Sequence, residues 1–237
     1  SRTNTVYPGD LKFEDISGPN GEPDGIINEY DRTNIGSPLP KFTFGLNNTF
    51  NYKNIDLTVF INGSYGNKVL NYMSRNLNNM ESLWNNQLSV VTERARLQQV
   101  NESFAYPRTN STGATVYNWF DDIDNVRVAN PNATIPRAIQ NDPNDNTRLS
   151  DRYIEDGSYL RVKNIVLGYN FDKKLVRKLH LETLRVYANV QNLVTLTKYS
   201  GFDPEIGVST ASVNVYGLDN GRYPSPQIYS FGLNLSF

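Results

Sequence analysis

The segment that decides the fold is Gln227-Ile-Tyr-Ser-Phe-Gly-Leu-Asn-Leu-Ser-Phe237. Its side chains alternate between large apolar groups (Tyr229, Phe231, Leu233, Leu235 and Phe237) and small or polar groups (Ser230, Gly232, Asn234 and Ser236). A period of two residues is typical of a β-strand with one apolar face. About ten such residues, tilted near 45°, span roughly 25 Å, the height of the apolar band of an outer-membrane barrel. A strand of a soluble sheet shows the same alternation, so both interpretations stay open at this point.

Four further segments repeat this alternation and predict an antiparallel sheet. The predicted strands are about 41–52, 55–65, 159–171, 183–193 and 227–237, with a tight turn at Lys53-Asn54 between the first two. The apolar phase of the third strand reverses just before Asn164, which predicts either a β-bulge or a change of environment there. A sixth strand is predicted between Val208 and Tyr216.

Composition limits the classes of protein that fit. The chain is 38% hydrophobic, its mean hydropathy is -0.54, and its net charge is -1. It has no run of about 18 apolar residues, so it has no transmembrane helix. Strands that cross a membrane need only one apolar side, so a membrane location remains open. The balanced charge gives no indication of a nucleic-acid partner, and the absence of cysteine excludes a disulfide framework.

The lengths of the connections indicate a direction for the sheet. Long segments cover about 1–40, 66–158 and 194–226, whereas the connections at Lys53-Asn54 and 172–183 are short. Bacterial barrels have short periplasmic turns and long extracellular loops. With Phe237 at the periplasmic end, every long segment falls outside. The sequence therefore predicts an all-β fold, an antiparallel transmembrane β-barrel with long extracellular loops, one of which contains a short helix near Asn78–Arg96.

Five ordered segments resemble the SusC/RagA-type TonB-dependent transporters of Bacteroidetes. The resemblance covers nearly the whole chain, apart from Leu70–Val126. The segments are Pro8–Ile16, Ile35–Gly45, Ser150–Ile165, Arg185–Leu193 together with Lys198–Pro204, and Tyr223-Pro224 followed by the terminal strand.

This resemblance implies a function as well as a fold. It implies a 22-stranded barrel whose N-terminal plug and N-terminal strands are absent here, and the missing Met and export signal lead to the same expectation of a C-terminal fragment. It implies TonB-dependent import of oligosaccharides or peptides across the outer membrane, in contact with lipid and lipopolysaccharide. A SusD-like surface lipoprotein would be the partner, and TonB would act through the plug. Phe237 resembles the signal that the barrel-assembly machinery recognises.

A group of oxygen-bearing side chains near the N-terminus is a candidate calcium site. The family usually has a compact Asp-x-Asn-Gly-Asp-Gly-x-Ile-Asp here, which resembles half an EF-hand loop. Calcium takes six to eight oxygen ligands. This chain has extra residues between Gly18 and Asp24, and it has weaker ligands at two positions. The alternative is an Asx-rich turn without an ion. The candidate ligands are Asp15, Ser17, Asp24, Asn28 and Asp31.

Aromatic residues of the long segment are candidates for substrate or partner contact. Aromatic faces there would stack on sugar rings or contact the lipoprotein. The alternative, which we favour at this point, is a small core that holds the loop together. An adjacent acidic group, Asp121, Asp122 and Asp124, predicts a solvated loop more than a recognition site. The aromatic candidates are Trp84, Tyr117, Trp119 and Phe120, with Tyr106 nearby.

No set of residues indicates catalysis. The pairs Glu155/Asp156 and Asp203/Glu205 lack the fixed separation that a glycosidase needs. His180 is the single histidine, and the chain has no cysteine and no serine nucleophile motif. The sequence therefore predicts no enzyme and no catalytic residue. The alternatives are a secreted β-sandwich that binds glycans and, less favoured, a surface glycoside hydrolase.

Overall fold

The computed structural model describes residues 6–82, 84–206 and 215–237. The strands are β1 (Phe42–Tyr52), β2 (Ile55–Tyr65), β3 (Lys68–Asn71), β4 (Leu97–Gln99), β5 (Arg108–Thr109), β6 (Thr115–Val116), β7 (Val126–Val128), β8 (Ile154–Asp156), β9 (Tyr159–Asn170), β10 (Thr183–Thr197), β11 (Leu218–Asp219) and β12 (Ile228–Ser236). The α-helices are α1 (Tyr72–Leu77) and α2 (Lys173–Val176). Short 3-10 helices cover Glu29–Asp31, Ser89–Glu93, Trp119–Asp121, Asp151–Tyr153 and Arg177–Leu179.

The chain forms two compact units. One, the sheet unit, comprises residues 35–73 and 151–237, and the other, the loop unit, comprises residues up to 34 together with 74–150. No helix in the described part of the chain is long and apolar enough to cross a membrane.

The sheet unit is built on five antiparallel strands in the order β1-β2-β9-β10-β12. Their bounds differ from the expected ones by no more than one residue, except that β10 continues to Thr197. Most of the sixth predicted strand, residues 208–214, lies outside the described residues. Its last two, Val215 and Tyr216, are not in a strand. The sheet is open in this chain, with β1 and β12 as its edges.

One face of this sheet carries exposed large apolar side chains. Phe231 is 84% exposed, and Leu233, Leu167 and Phe50 are more than half exposed. Soluble proteins rarely expose apolar patches of this extent. Both short turns and the end of β12 lie at one end of the sheet, because Tyr52 pairs with Ile55 and Thr183 pairs with Ser236. The long connections leave from the other end.

The predicted bulge near Asn164 is confirmed. Between β2 and β9 the register shifts after Phe60, so that Lys163 has no partner on β2. The register between β9 and β10 shifts at the same height, between Gln191 and Val194. Asn192 takes up this second shift in a left-handed conformation, with φ of 53°. The double shift explains why the apolar phase of β9 reverses.

A second, three-stranded sheet of β11, β3 and β8 belongs to the same unit. Its polar side chains bind the segment that follows β10. Glu155 accepts hydrogen bonds from Asn71 Nδ2 at 2.8 Å and from Ser200 Oγ at 2.7 Å. The buried Tyr199 hydroxyl donates to Asp219 Oδ2 at 2.5 Å. Glu155 is therefore occupied by structural hydrogen bonds.

The loop unit has little regular structure, and its apolar core is small. Its buried apolar residues are Val91, Ala95, Val116, Val126 and Ile135. The long connection 66–158 does contain a short helix, but α1 (Tyr72–Leu77) precedes the expected range 78–96, and among the described residues of that range only Ser89–Glu93 is helical, as a 3-10 turn. Asn79 Oδ1 accepts a hydrogen bond from Glu81 N at 2.7 Å. Such a local bond replaces the helical backbone bonds and favours a turn.

Candidate recognition site

Three of the candidate aromatic residues of the loop unit, Tyr117, Trp119 and Phe120, lie at a 3-10 turn, Trp119–Asp121. Asn118 caps this turn, since its Oδ1 accepts a hydrogen bond from Asp121 N at 3.0 Å. The rings of Trp119 and Phe120 meet edge to face, with centroids 6.0 Å apart. Tyr117 is 73% exposed and Phe120 is 52% exposed. The turn therefore presents aromatic surface to solvent.

The expectation that these aromatic residues form a small core is wrong for Tyr117, Phe120 and Trp84. Trp84 is 94% exposed and lies in an irregular segment. Among the described aromatic candidates, ring contacts join only Trp119 and Phe120. The alternation around Thr115–Val116 explains the result, because the buried position of that strand is taken by Val116.

A buried polar network supports the aromatic turn. Asp122 has no exposed surface, and its Oδ2 accepts hydrogen bonds from the Tyr106 hydroxyl at 3.1 Å and from Arg108 Nη1. Asn125 is also fully buried and donates to the Tyr106 hydroxyl at 2.8 Å. It donates to the Asn101 carbonyl oxygen and accepts from the Asn101 backbone nitrogen as well. Asp122 and Asn125 thus both have hydrogen-bond partners, as buried polar groups need for stability.

The acidic group therefore has a structural role that the sequence did not reveal. The expected solvated loop is wrong for Asp122, which is completely buried. Asp124 accepts hydrogen bonds from the Ser111 hydroxyl and backbone nitrogen, and these bonds lower the pKa of Asp124. Asp121 stays exposed beside Asn118. Sequence reasoning missed the role of Asp122 because its donors, Tyr106 and Arg108, lie 16 and 14 residues away in the chain.

A second polar network anchors the other side of the aromatic turn. The Tyr7 hydroxyl donates to the Phe120 carbonyl oxygen at 2.7 Å, and burial raises the pKa of Tyr7 to about 12. Arg137 lies over the Tyr7 ring at 4.7 Å and binds Asp10 through two nitrogens, at 2.8 and 3.3 Å. Asn146 Nδ2 also donates to Asp10. The carbonyl of Phe120 is thereby fixed to the N-terminal segment.

The candidate calcium ligands lie in one compact loop, and Asp31 is its centre. Asp31 Oδ1 accepts hydrogen bonds from the backbone nitrogens of Ile16 and Ser17, at 2.9 and 3.2 Å. Its Oδ2 accepts one from Asn28 N at 2.7 Å. These bonds, above all the one from Asn28, lower the pKa of Asp31. This carboxylate closes the loop through the backbone.

The other candidate ligands also bind the backbone of the loop. Asp15 Oδ2 accepts a hydrogen bond from Gly25 N at 2.5 Å, and Asp24 Oδ1 accepts one from Ile26 N at 2.9 Å. Among the described residues, no group of three or more acidic, histidine or cysteine side chains has the arrangement of a metal site. The geometry is that of the Asx-rich turn. The calcium site stays a prediction.

Two carboxylates in the segment after β10, those of Asp203 and Glu205, form ion pairs with a buried arginine. Arg161, on β9, is 3% exposed, and it donates to Asp203 Oδ1 at 2.5 Å and to Glu205 Oε2 at 2.7 Å. Its Nε donates to Thr195 Oγ1, and Lys163 Nζ donates to Glu205 at 3.0 Å. Asp203 and Glu205 thereby fasten the segment after β10 to β9.

A second ion pair crosses the polar face of the sheet. Asp56 on β2 and Arg185 on β10 are separated by β9, yet Arg185 Nη2 lies 2.5 Å from Asp56 Oδ2. Gly168 on β9 lies between them, and a Cβ there would meet Arg185 Nη2 and stand 2.5 Å from Asp56 Oδ2. Asn170 Nδ2 also donates to Asp56 at 3.0 Å. The glycine therefore allows an ion pair to join three strands.

Comparisons with known proteins agree with this geometry. TonB-dependent receptor P3 of Formosa agariphila is 34% identical over 235 residues, which are 97% of this chain and 19% of that protein. TonB-dependent receptor SusC of Bacteroides thetaiotaomicron is 37% identical over 90 residues, or 38% of this chain and 8% of that protein. No family model matches the chain. The chain spans about a fifth of the length of the curated relatives that it matches along nearly all of its residues.

Solved structures show the same fold. The RagAB peptide importer in the closed-closed state covers 98% of this chain and matches with a TM-score of 0.61 at 20% identity; the match spans 21% of that chain. The RagAB peptide transporter matches with a TM-score of 0.58 over 85% of this chain and 18% of its own. The sheet and loops thus define a portion of a TonB-dependent receptor. Within that class, its relatives include SusC, so the chain is of the SusC type.

Proposed function

We propose that this chain is the C-terminal part of an outer-membrane β-barrel that imports oligosaccharides or peptides in a TonB-dependent manner. The observation that carries the proposal is the placement of both short turns at one end of a sheet with an exposed apolar face. The names of the relatives point to the same activity. The apolar face would contact lipid, and the long segments would lie outside the cell.

Transport by the whole protein would be conformational and would need no covalent step, and this portion would supply a rigid part of the barrel wall. The strands form part of the wall, and the ion pair between Asp56 and Arg185 fixes neighbouring strands on the polar face. The buried Arg161 fixes the segment after β10. A rigid wall of this kind lets a moving element elsewhere in the protein respond to TonB while the barrel keeps its shape.

The aromatic turn is the proposed contact surface of the loop unit. Tyr117, Trp119 and Phe120 are presented by a turn that one buried and one partly buried polar network hold in place, and Trp84 adds a separate exposed ring. Exposed aromatic rings bind sugar rings or the side chains of a protein. The occupant of this surface is thus either the substrate or a SusD-like lipoprotein, the partner that a SusC-type protein would have.

Nutrient uptake by living cells tests the proposal. A strain without the full-length gene should lose growth on one oligosaccharide or peptide source, and complementation should restore it. Loss of TonB should abolish the same growth. Affinity purification of the complemented protein should recover a surface lipoprotein. If the protein leaves the envelope in carbonate without detergent, the membrane location is wrong and the secreted glycan-binding module is favoured.

A further inference from the structure

The apolar face of the sheet contains a groove that runs along β10. Ala188 pairs with Leu167 on one side and with Phe231 on the other, so that a small side chain lies between two large ones. Adjacent strands are about 4.8 Å apart, so the flanking side chains rise as walls on both sides of Ala188. The groove has a volume of about 630 Å³. Its walls are formed by Ile55, Leu167, Tyr169, Val186, Phe231 and Leu233.

The groove leads toward the end of the sheet that carries the short turns. Val186 is three residues from Thr183, where β10 begins, and this is a distance of about 10 Å along the strand. Tyr169, which pairs with Val186, forms an edge-to-face contact with Phe171 at 5.0 Å between centroids. Aromatic residues at this height are typical of the boundary between hydrocarbon and headgroups.

The turn beyond the groove is strongly basic. Residues 172–182 connect β9 and β10 and contain four lysine or arginine residues against two carboxylates. Asn54 Nδ2 donates to one of these carboxylates, Asp172, at 3.1 Å. Val176 is fully buried and anchors the turn, whereas Leu175 is 51% exposed. The exposed cations are Lys173, Lys174, Arg177 and Lys178.

We propose that the groove and the basic turn together form a binding site for an anionic phospholipid. An acyl chain would lie over Ala188, and the phosphate would lie among Lys173, Lys174, Arg177 and Lys178. Charge complementarity selects the occupant, because an apolar groove that ends at exposed cations fits a molecule with an apolar tail and a negative head. This inference rests on the proposed function, which places the apolar face in a bilayer.

The proposed orientation also indicates the leaflet. The short turns face the periplasm, so the site takes its ligand from the inner leaflet of the outer membrane. Exposed Leu175 would enter the interface beside the cations, as apolar residues of interfacial helices do. A phospholipid with one net negative charge, such as phosphatidylglycerol, is therefore preferred over zwitterionic phosphatidylethanolamine.

Native mass spectrometry of the full-length transporter in detergent tests the site. Phosphatidylglycerol and phosphatidylethanolamine of identical acyl composition are titrated separately. The unaltered protein should retain phosphatidylglycerol at lower lipid concentration. The double variant Lys173→Gln/Lys174→Gln should weaken retention of phosphatidylglycerol roughly tenfold or more, since each juxtamembrane cation contributes about a fivefold preference. Phosphatidylethanolamine retention should change little.

A groove variant and two control variants separate binding at the site from general effects of charge and side-chain bulk. Lys41→Gln/Lys198→Gln removes two exposed cations at the opposite end of the sheet and should leave retention unchanged. Ala188→Phe fills the groove and should weaken retention of both lipids, whereas Leu46→Phe on the exposed face of β1 should not.

Several outcomes would overturn the inference. Equal retention of the two phospholipids, or equal losses in the turn variant and the Lys41/Lys198 control, would show that no anionic site exists at the turn. Preferential binding of lipid A through the same four cations would place the turn in the outer leaflet. A barrel that requires detergent but shows no preference refutes only the lipid site, whereas a protein that is soluble without detergent refutes the proposed function.

Discussion

At the level of single residues, the loop unit buries polar groups as well as apolar side chains. Its few buried apolar residues are small or β-branched, while Asp122 and Asn125 have no exposed surface. A buried carboxylate is tolerated only when donors surround it. Tyr106, Arg108 and the backbone of Asp124 supply those donors. The exposed aromatic turn therefore depends on a carboxylate beneath it.

Replacement of Asp122 should loosen the aromatic turn. Asp122→Ala leaves Arg108 and the Tyr106 hydroxyl without their acceptor, at a cost of about 2 to 3 kcal/mol in the local free energy of opening. Hydrogen exchange of the full-length protein should show faster exchange over residues 101–128. The control Asp121→Ala removes an exposed carboxylate and should change local stability by less than about 0.5 kcal/mol. Equal protection in both variants would contradict the network.

In the absence of calcium, the mobility of the Asp15–Asp31 loop should depend on pH. The pKa of Asp31 is lowered, so its contribution is fully present above the unfolded value of about 3.9 and is lost as the pH falls through the lowered folded value. This chain has no cysteine, so Glu22→Cys in the full-length protein, with any cysteine outside this chain replaced, provides a single spin-label site. The label should be ordered from pH 7 to 5 and mobile in strong acid.

Two controls distinguish the hydrogen bonds of Asp31 from calcium binding as the source of order in the Asp15–Asp31 loop. Asp31→Asn keeps one acceptor oxygen of two, so the label should be mobile at neutral pH as well. Addition of calcium or of a chelator should leave the spectrum unchanged if the backbone bonds of Asp31 suffice. A label that becomes ordered only with calcium would instead support the predicted ion site.

At the level of elements, the polar face of the sheet uses a glycine to join three strands. Asp56 and Arg185 meet across β9 only because Gly168 has no side chain. Glycine within a strand usually weakens it, so its presence indicates a close approach of other groups. Tyr187 on β10 lies over Gly232 on β12 in the same way. Each of these glycines is covered by a long side chain of a neighbouring strand.

Substitution of this glycine should weaken the barrel. Gly168→Ala places a Cβ against both members of the ion pair and should cost about 1 to 3 kcal/mol in the free energy of unfolding. Urea titration of the full-length protein, followed by heat-modifiable mobility in gels, measures the loss. Gly45→Ala is the matched control, because the nearest atom to its Cβ would be Phe60 Cε2 at 3.4 Å.

A double substitution makes this test specific. In the Arg185→Gln background the clash with the guanidinium is removed and Asp56 loses its cationic partner over Gly168, so Gly168→Ala should cost less there than in the natural protein. An identical cost in the two backgrounds would show that the glycine acts through the backbone of β9 rather than through the ion pair.

The sequence predicted the strands better than it predicted the loops, for a physical reason. Strand residues such as Phe231 follow a period of two, and the bulge near Asn164 was visible as a change of phase. The loop unit has no period, because its order comes from bonds between residues far apart, such as Asp10 with Arg137. Burial of Asp122 and the pairing of Arg161 with Asp203 depend on such contacts. Composition alone gives no sign of them.

At the level of the whole molecule, the sheet presents an apolar face and two free edges. Strands β1 and β12 each pair on one side only, which leaves rows of backbone donors and acceptors open. Their side chains add to the exposure, since Phe42, Leu46, Phe231 and Leu235 are among the exposed large apolar residues. Under the proposed function, both features are accommodated by continuation of the sheet into a barrel and by the surrounding lipid.

The 237-residue chain expressed alone should therefore aggregate rather than remain a soluble monomer. Open edges and an apolar face promote association between chains. Light scattering of the refolded chain without detergent measures the outcome. In the variant Phe231→Lys/Leu233→Lys, charges interrupt the apolar row of β12, so aggregation should be slower. A monomeric, soluble chain would contradict the membrane proposal, because the exposed face would then be stable in water. It would favour the secreted β-sandwich instead, since a sandwich closes its apolar faces against each other.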